Sequence, residues 1–334
     1  MTGIVIAGVA HSHVDYATAE LRDRPDLELR GVFDPDAEAA QRIAGEFGTP
    51  VVDSLAKLLD LGADIVVCAG VYAQRADIVV AALRAGADVL CDKPLCITLD
   101  QLHRIEAAQT ETGRSIALML EKRTYPETLA VTAAVAAGEL GRPLALSSWA
   151  PHKLLRDVRA PWFLDPTTYG GILTDLLVHD VDIALSLTGA TSGSVRGWTG
   201  AQLDGGFALH GGAVVTLDGP DGDRAVLTAE VDWLTPSGSE LHGDYRRRVV
   251  GPSGTAEMYW GRGRLELTTA HSARHDVELS AGRRPAQDAL AALLSGGADA
   301  GRATADALLI TRIALLAEES ARQGGAELTW KAAA

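Results

Sequence analysis

The opening third of the chain alternates short, wholly apolar runs with amphipathic stretches, and few folds accept that alternation. A run such as GIVIAGVA (residues 3–10) has no polar face to offer water, so as a strand it must be covered on both sides. The same holds for ADIVVCAG (63–70), ADVLCDKP (87–94) and SIALML (115–120). Helix-period stretches lie between them at 13–24, 35–48, 54–62, 75–86 and 99–113, with further strands at 27–34 and 49–53. Strand and helix in this order predict a doubly wound parallel sheet, a Rossmann-type α/β domain over residues 1–122.

The pattern then changes. A helix at 126–141, a strand at 143–151 and a helical stretch at 171–189 lead into short strands over 193–269, punctuated by Gly, Asp and Pro. Helices at 285–296 and 304–324 close the chain. This predicts a C-terminal α+β domain, residues 123–334, on a largely antiparallel open sheet that binds substrate and a sister subunit. A homodimer or homotetramer through that sheet is the expected assembly.

A formal charge of −14 argues against nucleic acid or an anionic membrane as partner. No apolar run approaches the roughly 20 residues of a membrane span, and with no basic region or cleavage site before the first strand no targeting leader is expected. Cys68, Cys91 and Cys96 match neither a disulfide framework nor a metal knuckle, so buried thiols in a reducing, cytoplasmic setting are expected.

Ligands of an open parallel sheet sit beyond the carboxyl ends of its strands, where the strand order reverses. The first strand ends in Gly8-Val9-Ala10-His11-Ser12-His13, a dinucleotide fingerprint retaining one orthodox glycine. Asp34 ends the second strand, where a carboxylate hydrogen-bonds a ribose 2′-hydroxyl. Asp36 adds a second negative charge and no arginine follows at once, which favours NAD over NADP. Asp92-Lys93-Pro94 ends a later strand and holds a lysine rigidly on the same edge. On a helix, Asp175, His179 and Asp182 fall on one stripe, a pattern suited to general acid–base chemistry, while Asp180 projects into the apolar arc and needs a partner.

Gly8-x-Ala10, Asp34, AALRAGADVLCDKPL (81–95) and GGILTDLLVHDVD (170–182) together resemble the Gfo/Idh/MocA family of oxidoreductases. GELGRPLAL (138–146) and VVGPSGTAEMYW (249–260) extend the resemblance over most of the chain. It implies NAD(P)-dependent hydride transfer at a secondary alcohol or ketone of a sugar, inositol or related polyol. Lys93 is then expected at the reacting oxygen and near the nicotinamide. His179 is expected to exchange the hydroxyl proton, and Asp175 to bind substrate. Two departures stand out: Asp92 replaces the family's usual glutamate, and Gly70–Arg75 replaces a common Pro-Asn…His segment. Gly70, Arg75, Asp92 and Pro94 are nonetheless expected beside the cofactor.

His11 and His13 invite a metal reading. Two histidines at i, i+2 in a tight turn converge poorly on one ion, so no metal is expected. They are instead assigned with Ser12 to the phosphate turn at a helix N-terminus. The segment 147–166 supplies His152 and Trp162 as substrate-binding candidates, with Lys153, Arg156 and Arg159 as further donors, and Arg123 precedes it. Two other functions share these residues: NAD-dependent glycoside cleavage through transient oxidation, and a non-catalytic NAD- or sugar-binding regulator.

Overall fold

The structure, a computed structural model, describes residues 1–333 and divides into two compact units. The first comprises Met1–Leu120, Thr167–Gly170 and Arg284–Thr311; the second comprises Glu121–Pro166, Gly171–Arg283 and Arg312–Ala334.

The first unit is built on β1 (Thr2–Ala7), α1 (Val14–Asp23), β2 (Leu27–Phe33), α2 (Ala37–Phe47), α3 (Leu55–Leu59), β3 (Ile65–Cys68), α4 (Arg75–Arg84), β4 (Asp88–Asp92), α5 (Leu99–Thr112) and β5 (Ile116–Met119). Its sheet is five-stranded and parallel in the order β2-β1-β3-β4-β5. The three central strands and β5 are buried almost throughout, as their largely apolar sequence requires, while the edge strand β2 is only partly buried. The chain steps from β1 to β2 on one side and returns to β3 on the other, so the order reverses between β1 and β3.

Residues 49–53 do not form a strand. They keep one bridge, Val32 with Val51, because Pro50 lacks an N–H and Ser54 already caps α3. A second difference concerns the chain's end. Helix α10 (Gln287–Ser295) and the first half of α11 (Gly297–Arg322) belong to the first unit. Ala286, Leu290 and Leu293 pack in its core with Leu90, Ala117 and Met119, and Thr304 Oγ1 accepts the Ile116 N–H at 2.9 Å. The two-part division at residue 122 is thus interleaved: an apolar stripe declares that a helix is covered without saying by which sheet.

The second unit holds α6 (Pro126–Ala136), β6 (Ala145–Pro151), the short helices α7 (Pro161–Leu164) and α8 (Pro166–Tyr169, whose last three residues count with the first unit), and α9 (Val178–Thr188). Eight more strands follow: β7 (Ser192–Thr199), β8 (His210–Asp218), β9 (Arg224–Asp232), β10 (Arg246–Val250), β11 (Gly254–Tyr259), β12 (Arg264–Thr269), β13 (Ser272–Asp276) and β14 (Leu328–Lys331). They make a nine-stranded sheet, β13-β12-β11-β10-β6-β9-β8-β7-β14, antiparallel except between β6 and β9. The last strand was not expected; LTWK is too short to show a period. Burial alternates along β6 and β9, giving one covered and one open face. Trp149, Trp198 and Val214 stand exposed, and exposed Arg246 of β10 and Glu230 of β9 flank Trp149 in register. The three cysteines are free and buried. Among the described residues no helix is long and apolar enough to cross a membrane.

Gly8 has φ +88°, and a Cβ there would meet the Gly70 Cα at 2.6 Å. Gly8→Ala is expected to cost at least about 2 kcal/mol in urea unfolding, from strain and collision together. An unchanged midpoint would show that the two turns are not locked.

Candidate active site

The reversal point of the first sheet collects most of the predicted cofactor residues. Gly8 and Gly70 end β1 and β3 with their backbones in contact, and the two turns are stitched by His11 N–H to Ala69 O (2.9 Å) and Ala69 N–H to Gly8 O (3.2 Å). Asp34 follows β2 and receives the Val9 N–H on Oδ2 (2.6 Å) and the Asp36 N–H on Oδ1 (2.8 Å). Both oxygens retain a lone pair for a ribose hydroxyl. Asp36 caps α2, its Oδ1 accepting the Glu38 and Ala39 N–H groups, and adds negative charge beside Asp34. Helix α1 begins at His13 without a side-chain cap, with Ala10 half-buried and Ser12 exposed at the turn. An uncapped helix start beside a carboxylate at the next strand end fits a dinucleotide, the amides for its diphosphate and Asp34 for its ribose.

Asp92 is fully buried and is the hub of this rim. Its Oδ2 takes Arg75 Nη2 (2.7 Å) and His11 Nδ1 (2.9 Å), and its Oδ1 takes His13 Nδ1 (2.8 Å). Burial alone would push this carboxyl up, but His13, Arg75 and His11 outweigh it and hold it well below the usual carboxylate range. His11 is pushed down to about 4 by burial, against the pull of Asp92, so its ring is neutral at pH 7. The His13 ring stacks on Tyr16 at 4.4 Å.

Arg75 does not face a nucleotide. It is completely buried, and its guanidinium binds Gly70 O (2.9 Å), Asp92 O (2.9 Å) and Pro94 O (2.8 Å) besides the Asp92 carboxylate. It thereby splints the β3 turn to the Asp92-Lys93-Pro94 loop, whose Lys93–Pro94 bond is cis. Lys93 is 5% exposed.

The ligand atoms of His11, His13 and Asp92 lie within 4.8 Å of one another, the one such group among the described residues. Their contacts are hydrogen bonds, Arg75 already brings a positive charge to Oδ2, and α1 starts at His13 with its positive end. A divalent cation would be a third positive charge here, so this donor set suits an anchored carboxylate better than an ion.

In the second unit, the stripe carrying Asp175 and His179 is not one regular helix. Residues Leu173–Leu177 form a π turn and α9 follows, so one residue more than an α-helix needs separates Asp175 from what lies beyond. Every side chain from Leu173 to Ala184 is buried, so the stripe is not a solvated face. His179 Nε2 faces Glu121 Oε1 at 3.2 Å. Glu121 was missed from sequence; its one signal was a carboxylate just past β5.

Arg123, expected on substrate, makes a two-oxygen contact to Asp182, Nε lying 2.7 and 2.8 Å from its carboxylate oxygens. Asp180 finds the partners its position demanded: Arg247 Nη2 at 2.6 Å and the Ser148 hydroxyl, all buried. His152 is buried among Tyr245, Trp233 and His242, with Nδ1 2.9 Å from Ala150 O. Lys153 binds Ser239 O, Arg159 lies over the Phe163 ring, and Arg156 is exposed. Trp162 is half-buried with its ring 5.5 Å from Phe163. Of the five candidates named in the 147–166 segment, only Arg156 is exposed.

The glycine pair before the π turn makes room for two neighbouring side chains. A Cβ on Gly170 would strike Ile97 at 2.4 Å, and one on Gly171 would strike the Glu318 carboxyl at 2.2 Å. Glu318 uses that room to accept the Leu173 N–H at 3.1 Å, capping the turn that carries Asp175.

His11 yields a pH prediction. Its folded value of about 4 lies below the ordinary 6.5, so the unfolded chain binds more protons between those values. Its contribution is complete above pH 6.5 and is lost as pH falls towards 4, on the order of 3 kcal/mol. Urea midpoints at pH 7 and 5 should differ less in His11→Asn than in the wild type; equal slopes would mean the ring is not held neutral.

Residues 2–119 match the oxidoreductase family model with NAD-binding Rossmann fold of Gfo/Idh/MocA, and residues 128–257 match the Gfo/Idh/MocA C-terminal domain. The chain is similar to scyllo-inositol 2-dehydrogenase (NAD(+)) of Bacillus subtilis, 28% identical over 75% of this chain and 71% of that enzyme. It is also similar to inositol 2-dehydrogenase of Rhizobium meliloti, 26% identical over 61% of each chain, so that alignment leaves more than a third of the relative uncovered. Among solved structures, levoglucosan dehydrogenase in complex with NADH shares the fold, with TM-score 0.81 and 17% identity over 98% of both chains. Motifs, sheets and family models agree: the chain belongs to the Gfo/Idh/MocA family of oxidoreductases, and its first unit is the family's NAD-binding Rossmann domain.

Proposed function

We propose that this chain is an NAD-dependent dehydrogenase or reductase acting on a secondary alcohol or ketone of a sugar, inositol or related polyol. The observation that carries the reading is the buried His179–Glu121 pair at 3.2 Å, set behind a π turn, in a chain whose other unit binds NAD. An imidazole in contact with a carboxylate is held in one orientation and can take or return a hydroxyl proton at its other nitrogen. Asp175, buried at the start of the same helix, is the acceptor for substrate hydroxyls. Lys93 supplies the cation that a developing alkoxide needs, on a loop that Arg75 keeps rigid. Asp34 holds the adenosine ribose and, as an anion, disfavours a 2′-phosphate. The nicotinamide, when bound, accepts or returns the hydride. The names of the Bacillus and Rhizobium relatives support an inositol or a similar cyclitol.

The test is a panel of cyclitols, polyols and sugars with each cofactor, followed by NADH absorbance. Turnover with NAD is expected for at least one. Lys93→Ala should lower kcat by about 100-fold or more, and His179→Ala by a similar factor, with NADH affinity nearly intact. Unchanged turnover in either variant would sink these roles, and better binding of NADP would sink the assignment of Asp34. Hydrolysis of aryl glycosides without net NADH would point to the glycoside-cleaving chemistry instead.

The open face of the second sheet is proposed to pair with a second copy, Trp149 at its centre being half exposed. Light scattering should give a dimer or larger, and Trp149→Glu should shift it towards monomer. A monomeric wild type at micromolar concentration would refute this.

A further inference from the structure

The second unit contains a cavity that the catalytic reading leaves unused. It measures about 400 Å³ and is walled by Tyr125, Tyr245, Trp260, Leu241, His242 and Glu127, together with glycine and proline backbone. Neither Asp175 nor His179 lines it. Its walls are predominantly apolar, and four of them are rings, those of Tyr125, Tyr245, Trp260 and the imidazole of His242.

Glu127 is the exception. The residue is 2% exposed in the first turn of α6, and among the described residues its carboxylate has no hydrogen bond or ion pair to a side chain. Its Oε1 borders the cavity at Gly263: a Cβ built on that wall residue would have the Glu127 Oε1 as its one neighbour within 4 Å, at 3.9 Å. Three other buried carboxylates each meet an arginine: Asp92 with Arg75, Asp180 with Arg247 and Asp182 with Arg123. A covered carboxylate without a counter-charge is costly unless something supplies one.

The aromatic walls are already suited to positive charge. The Lys122 ammonium lies 4.2 Å from the Tyr245 ring centre and 5.6 Å from that of Trp260. A polyol would find few partners on apolar walls for its many hydroxyls. An alkylammonium with an apolar body would satisfy both features, its charge on Glu127 and its hydrocarbon on the rings.

We propose that this cavity binds a compact organic ammonium, held by Glu127 and the rings of Tyr125, Tyr245 and Trp260. The site stands apart from the dehydrogenase reading, so either can fail alone. The experiment is calorimetric titration of the full chain with cyclohexylammonium and, separately, with neutral cyclohexanol. Saturable binding of the ammonium is expected, weakened at least about tenfold by Glu127→Gln, with cyclohexanol bound more weakly and unaffected by that change. Leu241→Trp, which fills the cavity from a partly exposed position, should abolish the ammonium signal even if Glu127→Gln proves unstable. No saturable binding, equal binding to Glu127→Gln, retained binding in Leu241→Trp, or cyclohexanol bound as tightly as the ammonium would each overturn the proposal. Turnover of Glu127→Gln on any substrate found should match the wild type.

Discussion

A single buried carboxylate ties together the part of this protein that meets its cofactor. Asp92 ends β4, and its partners come from the turn after β1 (His11 and His13) and the start of α4 after β3 (Arg75). Three strand ends are thereby locked to one another in a place where no water can substitute. Removing a charge from water costs several kcal/mol, so the gain lies less in stability than in uniqueness of arrangement. Any slip of one turn would leave Asp92 or Arg75 unpaired in the interior. The glycine contact beneath, Gly8 against Gly70, works in the same direction by excluding every bulkier geometry.

The second unit repeats the device. Asp180 sits in the apolar side of α9 and binds Arg247 of β10 and Ser148 of β6, which pins the helix to the sheet at one rotation. Asp182 and Arg123 fix the next turn against the segment after β5, the same segment that brings Glu121 to His179. Charged pairs thus orient the helix, while leucines and valines merely hold it down.

Much of this was legible beforehand. Strands buried on both faces announce themselves as unbroken apolar runs, so β1, β3, β4 and β5 and the parallel sheet could be read directly. Asp34 and Asp92 followed from their places at strand ends, and Asp180 was recognisable as a charge in need of a partner. The remainder depended on contacts distant in sequence. Arg75 looks like any arginine at a helix start until the loop it splints is folded over it. Glu121 carries no periodic signal, since a carboxylate in a 3-10 turn is unremarkable until a histidine some sixty residues on is laid against it. Helix α10 and the first half of α11 could be read as amphipathic but not assigned to a sheet.

The π turn at Leu173–Leu177 has a consequence for how this site can change. An α-helix advances its side chains by about 100° per residue, so an added residue rotates everything before it by that angle relative to everything after. The direction in which Asp175 points is therefore encoded by a count of residues rather than by the identity of any one of them. Substitution can alter the chemistry at position 175, but only an insertion or deletion can re-aim it. Point mutation would explore this site's reactivity readily and its geometry scarcely at all.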